Sequence, residues 1–267
     1  MYERQTAIAG GAWHSYVTCA DDVLVADDAD RVLPGYSVQK LAVAVAVLEQ
    51  VDRGRLDLGQ TVELTTEVML GGSGLFALNP VGGDRLTLAT VLIALLLVSD
   101  NTAVRLCGSV CPTASLNDVL AAKGFEHTRV EPGPTPHRFF LGTTTPRETH
   151  FLLRGLADGT LLSAPSCAFL RSILTSTSGY HDGIRRDLSS AERRRVATKH
   201  GADFNTLGAA RHEVGIMWGP RGTTIYAFFA DQLDDRDDYG GTHPAVRAHA
   251  ALGRALFDGV TAGIDGR

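Results

Sequence analysis

The longest apolar stretches of the chain lie in its middle and have the character of buried helices. Eight consecutive apolar residues, Leu41 to Leu48, predict a helix that is buried on all sides. The dipeptide Pro34-Gly35 just upstream is typical of a turn, so this helix is expected to begin close to Ser37. A second apolar helix is predicted from Thr87 to Val98. It runs directly into three polar residues, Ser99-Asp100-Asn101, which must cap the next helix or face a polar cavity.

Strand patterns lie at the two ends of the chain. Trp13–Cys19 and Asp22–Ala26 predict an N-terminal hairpin, because apolar and β-branched residues flank a tight turn. Near the other end, three further segments predict strands and a last segment predicts a closing helix. These segments are residues 195–198, 212–218 and 223–229 for the strands and 244–260 for the helix.

The remaining middle of the chain is predicted to be helical with one irregular stretch. Helices are expected at residues 102–110, 115–123 and 164–177, and another begins at the capping box Thr145-Pro146-Arg147-Glu148. Residues 125–142 contain three prolines and no sustained periodicity, so they are expected to form an irregular loop. The glycine cluster Gly71-Gly72-Ser73-Gly74 is not followed by Gly-Lys-Ser/Thr and predicts a mobile surface loop.

These elements predict an α+β fold. An antiparallel sheet of about five strands is built from both chain ends and flanked by helices, with an all-helical lobe inserted. We expect residues 1–267 to form one domain with two sub-lobes. The sheet lobe takes in about residues 1–36 plus 180–267, and the helical lobe takes in about residues 37–179. A cleft is expected between two lobes of this kind.

Composition narrows the class of protein. The 267 residues are 44% apolar and 21% charged, as in globular proteins. The net charge of −5 does not indicate the basic surface that nucleic-acid binding requires. No apolar run is long enough to cross a membrane, and the N-terminus lacks the core of a secretory signal. A cytoplasmic location is expected as written, or a secreted one if a signal peptide has been removed. The four cysteines and nine histidines lack metal-ligand spacing, so reduced thiols and no metal or other cofactor are expected.

Ser37 and Lys40 are the first candidates for chemistry. They lie three residues apart, about one helical turn, so the Lys40 amine can lie beside the Ser37 oxygen. A buried lysine is destabilising unless it is paired or neutral, and a serine needs a base to become a nucleophile. A purely structural alternative is an N-capping Ser37 with an unrelated lysine that reaches solvent.

Three motifs together resemble a known family. Ser37-Val38-Gln39-Lys40, Ser99-Asp100-Asn101 and Lys199-His200-Gly201 are similar, in order and separation, to the motifs of class A β-lactamases and penicillin-binding serine acyl enzymes. Leu141 to Arg147 resembles the Thr-Thr-x-Pro segment that follows the Ω-shaped loop of that family. The resemblance covers nearly the whole chain and implies the β-lactamase/transpeptidase-like fold.

The resemblance also implies roles for individual residues. Ser37 would be the nucleophile, Lys40 would keep its proton mobile, and Ser99 would pass a proton to the leaving nitrogen. Asn101 would hold Lys40 and the acyl side chain of the substrate, whereas Asp100 would be structural. Lys199 would place a positive charge by Ser99 and the substrate carboxylate. The backbone amides of Ser37 and Ala202 would form the oxyanion hole.

The chain departs from the family pattern at two places. His200 stands where a hydroxyl residue usually binds the substrate carboxylate, next to Gly201, and Arg211 is a candidate for a second carboxylate contact. The family's Glu-x-x-Leu-Asn segment is replaced by Glu131-Pro132-Gly133-Pro134-Thr135. Glu131 is the candidate general base for deacylation, and its carboxylate must then reach Ser37 directly or through one water. Alternatively, Glu131 faces solvent at the start of a proline-rich loop.

Three functions stay open on the sequence. The first is a serine hydrolase that opens a β-lactam amide through an acyl-enzyme on Ser37, in β-lactam resistance or catabolism. The second is a cytoplasmic serine hydrolase of another amide or ester. The third is a penicillin-binding or sensor protein that deacylates slowly or not at all. In each, the partner is a small-molecule substrate, with no nucleic acid and no membrane.

Overall fold

The protein is described by a computed structural model over residues 1–79, 81–204 and 208–262. One sequence prediction therefore falls partly outside the described residues, namely the sheet lobe, which was expected to extend to residue 267. The helices are α1 (Tyr2–Ala9), α2 (Lys40–Asp52), α3 (Leu88–Leu97), α4 (Asn101–Val110), α5 (Thr113–Ala122), α6 (Pro146–Asp158), α7 (Ala164–Leu174), α8 (Ser190–Arg193) and α9 (Pro244–Thr261). The strands are β1 (Ala12–Cys19), β2 (Asp22–Asp27), β3 (Leu33–Pro34), β4 (Thr61–Leu64), β5 (Asp84–Thr87), β6 (Arg129–Pro132), β7 (Phe139–Thr144), β8 (Val196–Asp203), β9 (Ala210–Gly219) and β10 (Gly222–Asp231).

The main sheet is built from both chain ends. Its five strands are antiparallel in the order β2-β1-β10-β9-β8, so the N-terminal strand β1 pairs with the last strand, β10. The predicted α+β class with a sheet of about five strands is therefore confirmed. Helix α9 packs on β9 and β10, and helix α6 packs on β1, β9 and β10. Buried side chains such as Val17, Met217, Phe228 and Phe257 fill this core.

One row of paired residues crosses all five strands of this sheet. Asp27 on β2 faces Ser15 on β1, and Ser15 faces Phe228 on β10. Phe228 in turn faces Glu213 on β9, and Glu213 faces His200 on β8. Since directly paired residues project to the same face of a sheet, these five side chains lie on one face. The row links the outer strand β2 with the segment that carries the third motif.

The central part of the chain is rich in helices but not all-helical. It also contains a three-stranded sheet, β3-β7-β6, and a two-stranded sheet, β4-β5. The prediction of an irregular loop over residues 125–142 is wrong for β6 and for the part of β7 that it covers. The prolines concealed these strands because they interrupt the period-2 pattern. Pro132 is tolerated because it ends β6, which is an edge strand and leaves its outer side unpaired.

The chain divides into two compact units. The first contains Met1–Val32, Thr145–Asp158 and Leu174–Arg267, and the second contains Leu33–Thr144 and Gly159–Ile173. The predicted boundaries placed α6 in the helical lobe, whereas it belongs to the first unit because it packs on the main sheet. That residues 1–267 act as a single domain remains a prediction.

Helix α1 was not expected from the sequence. Its eight residues, Tyr2–Ala9, include no buried residue and little apolar character, but the helix packs against α9. Within the described ranges, no helix is both long enough and apolar enough to span a bilayer.

Candidate active site

Ser37 lies on a strained turn in the second unit. It is part of a 3-10 turn, Tyr36–Gln39, that leads directly into α2. Tyr36 has a φ of +44°, a left-handed conformation that costs a non-glycine residue roughly 1–3 kcal/mol. The N-cap of α2 is Gln39 and that of the turn is Gly35, so the alternative interpretation of Ser37 as an N-cap is wrong. The half-buried Ser37 hydroxyl has no hydrogen-bond partner among the described residues of this unit.

The small β3-β7-β6 sheet holds this turn in place. Gly35 N donates to Gly142 O over 3.1 Å, and Leu33-Pro34 pairs with the end of β7. The Gln39 side chain is buried and its Nε2 donates to Arg129 O over 3.0 Å. The segment that was predicted as a loop therefore supports the candidate nucleophile.

Lys40 is the first residue of α2 and its side chain is fully buried. Its amine donates to Ser99 O over 2.6 Å, to Asn101 Oδ1 over 2.8 Å and to Ser99 Oγ over 3.2 Å. Among the described residues the amine forms no hydrogen bond with Ser37, so the expectation that it lies beside the Ser37 oxygen stays a prediction. Burial lowers the pKa of Lys40 to about 7, and the nearby Asp100 carboxylate opposes this effect.

The second motif, Ser99-Asp100-Asn101, contacts the Lys40 amine through an unusual backbone conformation. Ser99 is buried and has a φ of +55°, and both its carbonyl oxygen and its hydroxyl lie within hydrogen-bond distance of Lys40. Strained residues of this kind cluster at functional sites. Asn101 bonds to Lys40 through Oδ1 and donates from Nδ2 to Gly71 O over 3.0 Å.

Asp100 fixes the neighbouring loop and the next helix. Its Oδ1 caps α4 by accepting from Ala103 N over 2.9 Å, and its Oδ2 accepts from the backbone N–H groups of Leu75 and Phe76 over 2.6 and 2.8 Å. Gly74, with a φ of +102°, lies so close to Asp100 that a side chain would collide with it. The glycine-rich loop, predicted as a surface loop, is thus hydrogen-bonded to the second motif.

Glu131 lies on β6, the edge strand of the small sheet. The neighbouring Val130 is fully buried, whereas the Glu131 side chain is 43% exposed and its Oε1 lies 3.3 Å from Arg129 Nε. Arg129 and Glu131 therefore project to the outer face of the strand. Its role as a general base remains a prediction, and the recorded ion pair does not favour it.

The third motif lies on β8 in the first unit. Lys199 is buried and its Nζ donates to His200 O over 2.7 Å. The His200 ring stacks on Tyr180, with ring centroids 4.0 Å apart and an angle of 23° between the planes. Burial raises the pKa of Tyr180, so this phenol stays protonated. Gly201 and Ala202 continue the strand opposite residues of β9.

Arg211 is paired with Ala202 across the sheet and is committed to backbone contacts. Its Nη1 donates to Asp203 O and Ala210 O over 2.9 and 2.8 Å, and its Nη2 donates to Asp238 O over 2.6 Å. The guanidinium also lies 4.5 Å from the centre of the Phe204 ring. The predicted carboxylate contact remains a prediction, and only Nε lacks a hydrogen-bond partner among the described residues.

Sequence reasoning missed three residues that support the third motif. Tyr180 covers His200, and the buried Arg185 donates to Val196 O over 3.0 Å at the start of β8. The buried Glu213 accepts from Ile184 N and Thr198 Oγ1 over 2.9 and 2.8 Å. Burial raises the pKa of Glu213 to about 7. Glu213 could have been identified from the sequence, because it is a lone acid within the predicted strand that contains His212 to Met217. No sequence feature pointed to Tyr180 or Arg185.

The chemistry available is that of serine and lysine. No group of three or more histidine, cysteine or acidic residues could hold a metal ion in the ranges 1–79, 81–204 and 208–262. Burial raises the pKa of the Cys107 and Cys111 thiols, so these cysteines are not activated nucleophiles.

Comparisons with known proteins agree with the motifs. A family model described as the β-lactamase enzyme family matches residues 6–260. A β-lactamase structure from Chitinophaga pinensis DSM 2588 is similar at 23% identity and a TM-score of 0.83, with 97% of each chain covered. One from Sphaerobacter thermophilus DSM 20745 has 22% identity and a TM-score of 0.78, covering 97% of this chain and 95% of that one.

A third structure of the same fold is similar as well. The structure of PBP-A has 19% identity and a TM-score of 0.75, with 96% of this chain and 94% of that chain covered. No curated protein sequence matches the chain. The family model spans most of the chain, and the structural neighbours share its fold. The protein therefore belongs to the β-lactamase enzyme family.

Proposed function

We propose that this protein is a serine hydrolase that opens the amide of a β-lactam and becomes acylated at Ser37. The observation that carries the proposal is the buried amine of Lys40, whose pKa is lowered to about 7. With a pKa near neutrality this amine is partly uncharged at neutral pH, so it can accept a proton. A general base whose pKa lies near the working pH is the arrangement that serine nucleophiles need.

Acylation then follows in balanced steps. The Ser37 Oγ–H bond breaks, its proton passes to Lys40 Nζ, and Oγ forms a bond to the carbonyl carbon. When the tetrahedral intermediate collapses, the C–N bond of the amide breaks. Ser99 Oγ, 3.2 Å from Lys40 Nζ, passes a proton to the leaving nitrogen and is reprotonated by the ammonium. Lys199, His200, Gly201, Ala202 and Arg211 keep their predicted roles in binding the substrate.

Deacylation is the step with less support. It needs a base to activate water, and the predicted base is Glu131. That carboxylate is substantially exposed and pairs with Arg129, which favours a second candidate function. In this alternative the protein is a penicillin-binding protein that stays acylated or deacylates slowly. A PBP-A mutant has been solved as an acyl-enzyme complex with penicillin G, at 19% identity and a TM-score of 0.74.

A chromogenic cephalosporin assay combined with intact-mass analysis tests the proposal. Turnover supports the β-lactam hydrolase, and a persistent adduct supports the slowly deacylating protein. If neither turnover nor an adduct is observed, the result supports a hydrolase of another amide or ester. Ser37→Ala should abolish any adduct without loss of thermal stability, since active-site residues are rarely optimised for folding. Ser172→Ala, at an exposed position on α7, is the matched control and should retain the adduct. An adduct that survives in Ser37→Ala would remove the assignment of the nucleophile.

A further inference from the structure

A cavity in the first unit is not part of the candidate active site. It has a volume of about 760 Å³ and is lined by α1, β2, β10 and α9. Cavities of this size accommodate small organic ligands. The buried Phe228 contributes to it from β10, and α9 adds Leu252 and Leu256. Leu24 and Val25 of β2 complete its apolar part.

The polar part of the cavity is acidic. Glu3 and Asp27 are lining residues, and besides the α-amino group of Met1 no basic group lines the cavity among the described residues. The Tyr2 hydroxyl lies 2.8 Å from Asp27 Oδ2 and 2.9 Å from Ser15 Oγ. Burial raises the pKa of Tyr2, so the phenol is neutral and adds no negative charge to the cavity. Asp27 Oδ1 has no hydrogen-bond partner within the described ranges.

An aromatic pair stands beside these carboxylates. The rings of Tyr2 and Phe228 are stacked, with centroids 6.2 Å apart and an angle of 18° between their planes. Aromatic faces attract cations, and a carboxylate oxygen without a hydrogen-bond partner, such as Asp27 Oδ1, attracts them further. An anionic ligand would be repelled by the same carboxylates. A carboxylate-bearing β-lactam is therefore a poor occupant.

We propose that this cavity binds a small organic cation with an apolar body, such as an arylalkyl amine. The ammonium group pairs with Asp27 Oδ1 and the apolar body packs against Phe228, Leu252 and Leu256. This site is independent of the proposed chemistry at Ser37, so a failure of either one leaves the other intact.

Binding of matched probes to the whole protein tests the proposal. The probes are 2-phenylethylamine, the neutral 2-phenylethanol and the anionic 3-phenylpropanoate, titrated while methyl NMR signals are followed. The amine should bind with a dissociation constant of about 1 mM or tighter, and the two isosteres at least about tenfold more weakly. The methyl signals of Leu24, Val25, Leu252 and Leu256 should shift. Equal affinity for amine and alcohol, no saturation, or shifts confined to other methyl groups would overturn the proposal.

Two variants and a control locate the interaction. Asp27→Asn should weaken amine binding about tenfold or more, because it removes the charge that pairs with the ammonium. Asp22→Asn, on the same strand but outside the cavity, is the control and should leave the affinity unchanged. Leu256→Trp should abolish binding by filling the space, and it decides the question if Asp27→Asn does not fold. Unchanged amine binding in a folded Asp27→Asn or Leu256→Trp protein would contradict the assignment.

Discussion

Removing the Lys40 amine should change the way in which protein stability depends on pH. Burial lowers the pKa of Lys40 to about 7, against an ordinary value of 10.5. Between these two pH values the unfolded chain holds a proton that the folded chain has released. The free energy of unfolding should therefore rise with pH in this window. Through Lys40 alone, the rise between pH 7 and pH 9 should be roughly 2 kcal/mol.

The assay is urea unfolding of the wild type and of Lys40→Met at both pH values. The difference in unfolding free energy between the two proteins should grow by roughly 2 kcal/mol in favour of the wild type from pH 7 to pH 9. Lys123→Met is the matched control, since the Lys123 ammonium is partly exposed and lies 2.7 Å from Glu49. The chain has only three lysines, so NMR of labelled lysine can follow the Lys40 amine directly.

The acylation rate of the wild type should rise as the pH passes about 7, because only the neutral amine can take the Ser37 proton. A difference between wild type and Lys40→Met that does not vary with pH would mean that the amine is charged throughout this range. Lys40 could then not act as the base, and the observation that carries the proposed function would fail.

Three further substitutions test other parts of the site. Glu131→Gln should leave acylation intact and slow deacylation about 10²–10⁴-fold if Glu131 is the base, as followed by turnover and intact mass; no change in either step would show that it only faces solvent. His200→Thr should raise acylation by carboxylate-bearing β-lactams, because a compact hydroxyl replaces the ring stacked on Tyr180; a folded but inactive variant would assign His200 to another substrate. Glu213 has a raised pKa, so its stabilising effect is present below about pH 4.5 and is lost as the pH rises through about 7. Relative to the wild type, Glu213→Gln should therefore gain roughly 2–3 kcal/mol in unfolding free energy from pH 5 to pH 8; a constant difference would contradict the buried neutral acid.

The parts of the fold that the sequence predicted well are those with strong periodicity. The apolar run of α2 and the late strands β9 and β10 match the pattern closely, because burial on all sides leaves little choice of residue. Helix α1 was missed because its stability depends on packing against α9 and not on its own apolar face. Strand β6 was missed because its four residues are too few to show a period-2 pattern and end in Pro132.

The candidate site was predicted unevenly for a related reason. The structure places Lys40, Ser99 and Asn101 within hydrogen-bond distance, because Lys40 begins α2 whereas Ser99 and Asn101 lie at the junction of α3 and α4. The hydrogen bond that Ser99 O accepts from the Lys40 amine was not predicted, since it depends on the left-handed backbone at Ser99, which no sequence pattern encodes. The direction of the Glu131 side chain depends on whether that residue occupies the inner or outer face of β6. A shift of one residue in a strand reverses this choice.

The strand order of the main sheet has a consequence for folding during synthesis on the ribosome. Strand β1 ends at Cys19, but its partner β10 begins only at Gly222, so one edge of the N-terminal hairpin stays unpaired until the last strands have emerged. At about 5–20 residues per second, translation leaves this edge open for roughly 10–40 s. Closing a loop of this length is also slow, whereas most of the second unit is continuous in sequence and can fold earlier. The nascent hairpin, with Val23 and Leu24 exposed on β2, is therefore the segment that a chaperone would be expected to bind during synthesis.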